Sequence, residues 1–242
     1  MSEEERFAER RRSMFWRRVR RILLGLLGVA AAGAVVWVVW FSSALAVNRI
    51  EIEGTTTLKP AAIRSVAAVR LGQPLARVDT VVIESRVAEL DRIDQVEVSR
   101  QWPRTIRIEV VERKPIGWVM SGGEIRAIDR YGVDFRTLRT EPKDLVEVQV
   151  ETFSARQRQQ GLGSAAAVLE LLRTDDPDLL KKVRYVQVAS KDSVQLVLGK
   201  NRTVTWGSAA KGEQKLTVLR SLLKIKARGY DVSAPEQPTT RP

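Results

Sequence analysis

The sequence predicts an α+β protein: one transmembrane helix, a β-α-α-β-β unit, and a mainly antiparallel β domain with helices. Three observations predict it. Residues Ile22–Phe41 form an unbroken apolar run, ILLGLLGVAAAGAVVWVVWF, entered through a block of arginines. Between residues 47 and 115, stretches of period-two alternation bracket stretches of helical period. Beyond residue 116, short strand patterns separated by turn residues alternate with helical ones. The expected divisions are a basic cytoplasmic tail at 1–21, the span at 22–41, the first unit at 47–115, the β domain at 116–233 and a flexible tail at 234–242.

The apolar run is 20 residues long. At ~1.5 Å per residue it makes a helix of about 30 Å, the thickness of a bilayer's hydrocarbon core. It lacks the polar stripe of a soluble core helix. Ile22, Trp37, Trp40 and Phe41 are expected to anchor it, with Trp16 as a further interfacial ring. Arg6, Arg10, Arg11, Arg12, Arg17, Arg18, Arg20 and Arg21 precede the run, against Glu3, Glu4, Glu5 and Glu9. Arginine is retained on the cytoplasmic side, so the N-terminus is expected inside and everything after Val47 outside. A cleaved signal peptide is the competing reading, because Ala44-Leu45-Ala46 fits a peptidase site. Signal h-regions run about 7–15 residues, which favours the uncleaved anchor. Gly28 with Ala32, and Ala30 with Ala34, would permit close packing of another membrane helix; an alanine-rich span explains them equally.

Composition narrows the chemistry. The chain has no cysteine and no histidine. Ser-His-Asp and Cys-His nucleophile systems are therefore excluded, as are zinc sites built on His and Cys. Carboxylate catalysis would need two acids held apart in a cleft, and no feature nominates such a pair. Asp175-Asp176 precedes Pro177 and reads as turn chemistry. Gly161-Leu162-Gly163 has Ala166 where a dinucleotide loop needs its third glycine, and reads as a break between two helical pieces. Asn201-Arg202-Thr203 matches a glycosylation sequon, relevant only in a eukaryotic secretory pathway. The net charge of +12 suits anionic lipid heads or wall polymers more than nucleic acid, given an exported chain. No enzyme activity, cofactor or metal is expected.

The elements follow in order. Ile50 and Ile52 alternate with Arg49, Glu51 and Glu53 in a strand that Gly54 ends. Thr57 is expected to cap a helix with Ile63, Val66 and Ala67 on one face. Leu71-Gly72-Gln73-Pro74 breaks it, and Thr80 opens a second helix with Ile83, Val87 and Leu90 inward. Val96 and Val98 alternate with Glu97 and Ser99 up to Trp102, and Pro103-Arg104 turns the chain. Ile106, Ile108 and Val110 alternate in the return strand.

In the second domain, Trp118-Val119-Met120 and Glu124-Ile125-Arg126-Ala127 flank the hairpin signal Ser121-Gly122-Gly123. Leu145 to Val150 is a strand, and Ser164 is expected to cap a helix carrying Val168, Leu169, Leu171 and Leu172. Val183–Val188, Val194–Leu198 and Arg202–Trp206 read as a meander with a turn at Gly199-Lys200-Asn201. A last helix, about Lys211 to Arg228, aligns Leu216, Leu219, Leu222 and Leu223, with Gly229 at its C-terminus.

The β-α-α-β-β order directly after an outward-facing anchor resembles a POTRA domain. Trp102-Pro103-Arg104-Thr105-Ile106-Arg107-Ile108-Glu109-Val110, followed by Glu112-Arg113-Lys114-Pro115, resembles the sequence ending that domain in the FtsQ/DivIB family of bacterial division proteins. Ile128-Asp129-Arg130-Tyr131-Gly132-Val133 resembles the family's next landmark, and the likeness continues through Lys215-Leu216 to Asp231-Val232-Ser233-Ala234-Pro235. Taken singly, these residues need only build a scaffold: Trp102 a sheet-edge aromatic, Pro103 a turn former.

The resemblance implies a non-enzymatic scaffold of the divisome, a single-pass protein of the cytoplasmic membrane concentrated at the septum. It implies recruitment of FtsB/FtsL-type partners and linkage to septal peptidoglycan synthesis. Other septal membrane proteins, of FtsW and penicillin-binding protein type, are implied partners too. Binding is expected through Lys224, Arg228, Tyr230, Asp231, Val232 and Ser233, by short strand pairing around Tyr230–Ser233 plus helix contacts; Pro235 and Pro238 limit its length. The ending, Ser-Ala-Pro-Glu-Gln-Pro-Thr-Thr-Arg-Pro, is similar to actinobacterial relatives. The alternative is a POTRA-bearing secretion or envelope-assembly factor.

Overall fold

A computed structural model describes residues 3–151 and 154–242. The side chains of 1–15 and 17–19, with most of the arginine block, lie outside that description. The chain divides into two compact units, Met1–Glu112 and Arg113–Pro242.

The first unit begins with α1, Glu3–Phe41. Its Arg20–Phe41 part is long and apolar enough to cross a membrane, and no residue of that window is buried. Ile22, Trp37, Trp40 and Phe41 are all exposed. The chain then enters β1 (Arg49–Glu53), α2 (Pro60–Ala67), α3 (Thr80–Ala88), β2 (Ile93–Gln101) and β3 (Thr105–Glu112). The sheet order is β1-β3-β2, with β1 parallel and β2 antiparallel to the central strand. The period of two works as the sequence implies: Ile106, Ile108 and Val110 point inward, where Ile63, Ala67, Ile83 and Val87 of the helices meet them. Val66 and Leu90, expected on the same inner faces, are only partly buried.

One of the two helix starts differs from expectation, while α3 begins at Thr80 as expected. Thr57 does not cap α2. The helix begins at Pro60 after Lys59, whose side chain makes no cap bond, and proline at the first turn needs no N–H partner. Thr57 is instead claimed by a distant carboxylate, that of Glu112. For α3 the cap is Asp79, one residue before Thr80, accepting from the N–H groups of Val81 and Val82.

Among the described residues, the second unit carries a nine-stranded sheet. Its strands are β4 (Gly117–Ser121), β5 (Glu124–Ile128), β6 (Asp134–Leu138), β7 (Val146–Val150), β8 (Val183–Ser190), β9 (Ser193–Leu198), β10 (Arg202–Gly207), β11 (Gly229–Asp231) and β12 (Thr239–Arg241). Their order is β12-β11-β10-β9-β8-β7-β4-β5-β6. Most neighbours are antiparallel, but β4 with β7, β7 with β8, and β10 with β11 run parallel. Parallel neighbours need crossovers, and two of them are helical. α4 (Ala155–Asp175) and the one-turn α5 (Pro177–Leu180) join β7 to β8, and α6 (Gly212–Leu222) joins β10 to β11. Buried Leu162, Leu169 and Leu172 of α4 and Leu216 and Leu219 of α6 belong to one core with Val186, Leu196 and Trp206 of the sheet.

The second unit departs from four expectations. Gly161-Leu162-Gly163 is no break: α4 runs through it, capped seven residues before Gly161 by Ser154, whose hydroxyl accepts from Gln157 N–H at 3.2 Å. A Cβ on Gly161 would stand 2.8 Å from Val188 Cγ1, so the glycine is there for helix–sheet approach. Ser164 therefore lies inside α4, its hydroxyl donating to the Lys191 carbonyl at 2.8 Å. The last helix stops at Leu222 rather than about Arg228, and Gly229 opens β11 instead of closing a helix. Finally, the 234–242 segment, expected as a flexible tail, carries β12, antiparallel to β11. β6, with Phe135 buried, has only a short alternation and is invisible to the sequence pattern.

Candidate functional site

The edge of the second sheet at β11 and β12 gathers most of the residues singled out above. β11 rests on β10 through the pairs Thr203–Gly229, Val204–Tyr230 and Thr205–Asp231. On its other side β12 pairs Thr239 with Asp231, Thr240 with Tyr230 and Arg241 with Gly229. Both flanks of β11 are thus occupied, and the expected addition of a strand at Tyr230–Ser233 has no free ladder there. The free edge lies one strand further out, on β12, whose three residues are exposed.

Tyr230 and Val232 face inward. Tyr230 is 2% exposed; its hydroxyl donates to the Ile225 carbonyl at 2.9 Å and accepts from the Ala227 N–H at 3.3 Å. The phenol thereby holds the loop between α6 and β11, satisfying backbone groups of that loop. Val232 is buried, and its N–H donates to the Thr205 carbonyl at 3.0 Å. Asp231 accepts from the N–H and hydroxyl of Ser233, at 2.9 and 2.7 Å, which turns the chain after β11. Lys224 and Arg228 remain outward and exposed.

Beside this edge lies a cleft of about 520 Å³ lined by Lys200, Arg202, Lys226, Ala227, Arg228 and Pro242. Four of the six lining residues are cationic and none is acidic. Like charges so close raise a positive local potential that favours carboxylate or phosphate. The sequence reading found Arg228 and missed Lys200, Arg202 and Lys226. The missing signal was spatial: the β9–β10 turn and the α6–β11 loop meet only through the parallel pairing of β10 with β11.

Lys211 and Lys215 secure the same region from α6. Lys211 Nζ pairs with Glu236 Oε1, tying the helix start to the turn in which Gln237 N–H donates to the Ala234 carbonyl at 2.9 Å. That pairing draws the Glu236 carboxyl below its ordinary range. Lys215 is buried, Nζ 2.8 Å from the Ser208 carbonyl, and burial pushes its pKa down, reinforced by Lys211.

Two acidic features have structural employment. The Asp176 carboxylate accepts Leu179 N–H at 3.0 Å and Arg220 Nε at 2.9 Å, capping α5 as turn chemistry predicts. Arg220 is the main reason its pKa falls. Asp129, 2% exposed, accepts from Tyr131 and Val133 N–H at 2.9 and 2.8 Å and pairs with Arg113 at 2.5 Å. The Gly132 that follows has φ +76°, and a Cβ there would stand 2.4 Å from Gly163 N. The Ile128–Val133 landmark is therefore a turn folded against α4. No cluster of three or more potential metal ligands forms among the described residues.

Residues 45–113 match the family model "POTRA domain, FtsQ-type". The chain is 37% identical over 241 residues to a cell division protein FtsQ of Streptomyces bingchenggensis, covering 95% of this chain and 88% of that protein. It is 36% identical over 237 residues to the Streptomyces coelicolor FtsQ, covering 90% and 86%. The Mycobacterium tuberculosis FtsQ is more distant, 29% identical over 220 residues, which is 91% of this chain and 67% of that protein.

Proposed function

The chain belongs to the FtsQ family of cell division proteins, and from that membership we propose that it is a non-enzymatic scaffold that recruits partner subunits by β-strand addition at β12. One observation carries the reading: β12 leaves an open ladder edge next to a cleft of four cations. An incoming strand would take its backbone bonds from Thr239–Arg241 and its charge complement from Arg202, Lys226 and Arg228. The three-residue length keeps backbone affinity modest, so side chains in the cleft must supply specificity. The partner is expected to be an extended, acidic extracytoplasmic segment of FtsB type, travelling with FtsL.

α1 anchors the protein in the cytoplasmic membrane, with the arginine-rich N-terminus inside and everything after Val47 outside. Held there, the scaffold would gather its partners at the septum and couple them to peptidoglycan synthesis by FtsW and penicillin-binding protein types. The absence of histidine and cysteine and the structural employment of Asp129 and Asp176 support a role without catalysis.

The test is direct. The full chain in nanodiscs is titrated with the extracytoplasmic FtsB-type segment of the same organism, and hydrogen exchange is followed at β12. Protection confined to Thr239–Arg241 and neighbouring β11 is expected. Binding that leaves those amides unprotected would remove strand addition from the mechanism.

A further inference from the structure

α1 passes into the first unit with almost no linker. Ser42 N–H still donates to the Val38 carbonyl at 3.1 Å, and Ala46 and Val47 are already buried. Val47 exchanges backbone bonds with the next loop, donating to the Gln73 carbonyl at 2.9 Å and accepting from Gly72 N–H at 2.8 Å. From the other side, Asn48 N–H donates to the Arg104 carbonyl at 3.0 Å, and Arg104 Nε donates to the Ala44 carbonyl at 2.6 Å. The Arg77 guanidinium lies 4.2 Å from the centroid of the Phe41 ring. The loop at 70–74, the turn at Leu75–Arg77 and the turn at 102–104 are therefore stitched to the first residues beyond the span. A bilayer's headgroup zone is roughly 5–8 Å deep on each side, so the first residues beyond Phe41 lie within it.

The side chains at this end suit that depth. Leu71, Val81 and Trp102 are 63%, 69% and 54% exposed, although all three are large and apolar. Arg70, Arg77, Arg100 and Arg104 stand among them, exposed. Asp79, at the start of α3, is engaged as its cap. An indole and aliphatic groups interspersed with guanidiniums is the composition that partitions into a lipid interface and reaches phosphate. The open sheet face differs: Glu53, Glu109 and Glu97 form one cross-strand row, and Arg107 beside it is already paired with Glu51, Glu53 and Glu109, so the face carries more acid than base. An anionic bilayer would repel it.

We propose that the end of the first unit formed by the 70–77 segment and the 102–104 turn lies on the outer leaflet and binds anionic phospholipid headgroups, with Leu71 and Trp102 inserted. α1 is then the first of two membrane contacts, and the second fixes how the unit leans. The inference rests on α1 crossing the membrane and not on partner recruitment.

The chain has no native cysteine, so single nitroxide labels can be placed cleanly. Leu71→Cys and Trp102→Cys probe the proposed contact, Val111→Cys the open sheet face, and Gly28→Cys the span. All four positions are exposed, and a Cβ at Gly28 meets nothing within 4 Å. The full chain is reconstituted in phosphatidylglycerol or phosphatidylcholine nanodiscs, and collision with oxygen is compared with collision with a water-soluble nickel chelate. The Leu71 and Trp102 labels should show a several-fold higher oxygen preference than Val111 in phosphatidylglycerol, and Arg70→Glu with Arg77→Glu should lower it. A deep Gly28 label together with a Leu71 label as aqueous as Val111 would overturn the inference while leaving the anchor standing. Equal depth in both lipids would overturn the headgroup role of the arginines. A Gly28 label without bilayer depth would remove the anchor itself.

Discussion

The backbone N–H of Thr57 lies 2.9 Å from a carboxylate oxygen of Glu112, 55 residues further along the chain. The same carboxylate accepts from Thr56 N–H at 2.7 Å and Leu58 N–H at 2.9 Å, and takes the Thr57 hydroxyl as well. One side chain at the end of β3 thus organises the loop that feeds α2.

A pH dependence follows from that loop. Burial alone would raise the Glu112 pKa, but the Thr57 hydroxyl and the three N–H groups outweigh it and bring it to about 2 from an ordinary 4.5. A folded-state value below the unfolded one stabilises the protein fully above about 4.5, and the benefit disappears as pH falls toward about 2. With solvent screening at a partly exposed site, the contribution at neutral pH is about 1–2 kcal/mol. Glu112→Gln should lower stability by that amount at pH 7 and by much less at pH 3. Denaturant melts of both proteins at the two pH values decide it; an equal loss at both would rule out the charge.

Two glycines that face each other should respond in opposite ways. Gly132→Ala forces a Cβ into the backbone of Leu162 and Gly163 at a positive φ, and should destabilise by at least ~3 kcal/mol. Gly163→Ala meets only an ordinary 3.5 Å contact with the Tyr131 carbonyl inside a helix, and should be neutral or stabilise by up to ~1 kcal/mol. Thermal melts of the two variants test this, and a comparable loss at Gly163 would contradict the packing described.

Asp129 performs two jobs that conservative substitution separates. Asp129→Asn keeps an oxygen for Tyr131 and Val133 N–H but gives up the ion pair with Arg113. Asp129→Ala removes both and leaves buried donors unsatisfied, at a cost of about 3–5 kcal/mol. Proteolysis of the second unit should therefore rise in the order wild type, Asn, Ala. Indistinguishable Asn and Ala variants would mean the hydrogen bonds to the turn contribute nothing.

For the proposed docking at β12, Lys226→Glu with Arg228→Glu should weaken an acidic FtsB-type segment by tenfold or more, about 1.4 kcal/mol, with a flatter salt dependence. Tyr230→Phe should cost about 1 kcal/mol of stability through the lost bonds to Ile225 and Ala227 and leave affinity unchanged. Isothermal titration with the purified segment separates them. Affinity lost in Tyr230→Phe and kept in the double charge reversal would place the contact on the buried phenol after all.

Strong local periods were readable without coordinates. The alternation of Ile50 and Ile52, of Ile106, Ile108 and Val110, and of Val183–Val188 names strands because burial on one face imposes a period of two. Helix ends were less legible. Thr57 and Ser164 look like caps because they have cap chemistry, but Glu112 and the Lys191 carbonyl compete for their hydroxyls. Gly161 and Gly163 look like breakers because propensity counts backbone entropy and not the proximity of Val188 or Tyr131. Pro235 and Pro238 read as limits on strand pairing, yet Pro238 immediately precedes β12, where proline withdraws no ladder donor.

The sequence by itself determined the apolar span with its arginine flank, the loss of thiol and imidazole chemistry, and the order of elements in the first unit. Each is a property of composition or of local period, and no distant residue can cancel it. Tertiary structure alone decided which strand owns the free edge, because that depends on β12 folding back over β11. It also decided which cations share a cleft. Lys200 and Arg228 are far apart in the chain and become neighbours only when α6 carries β11 across to lie parallel to β10. Long-range pairing has no local period to announce it, so the site became visible only in the fold.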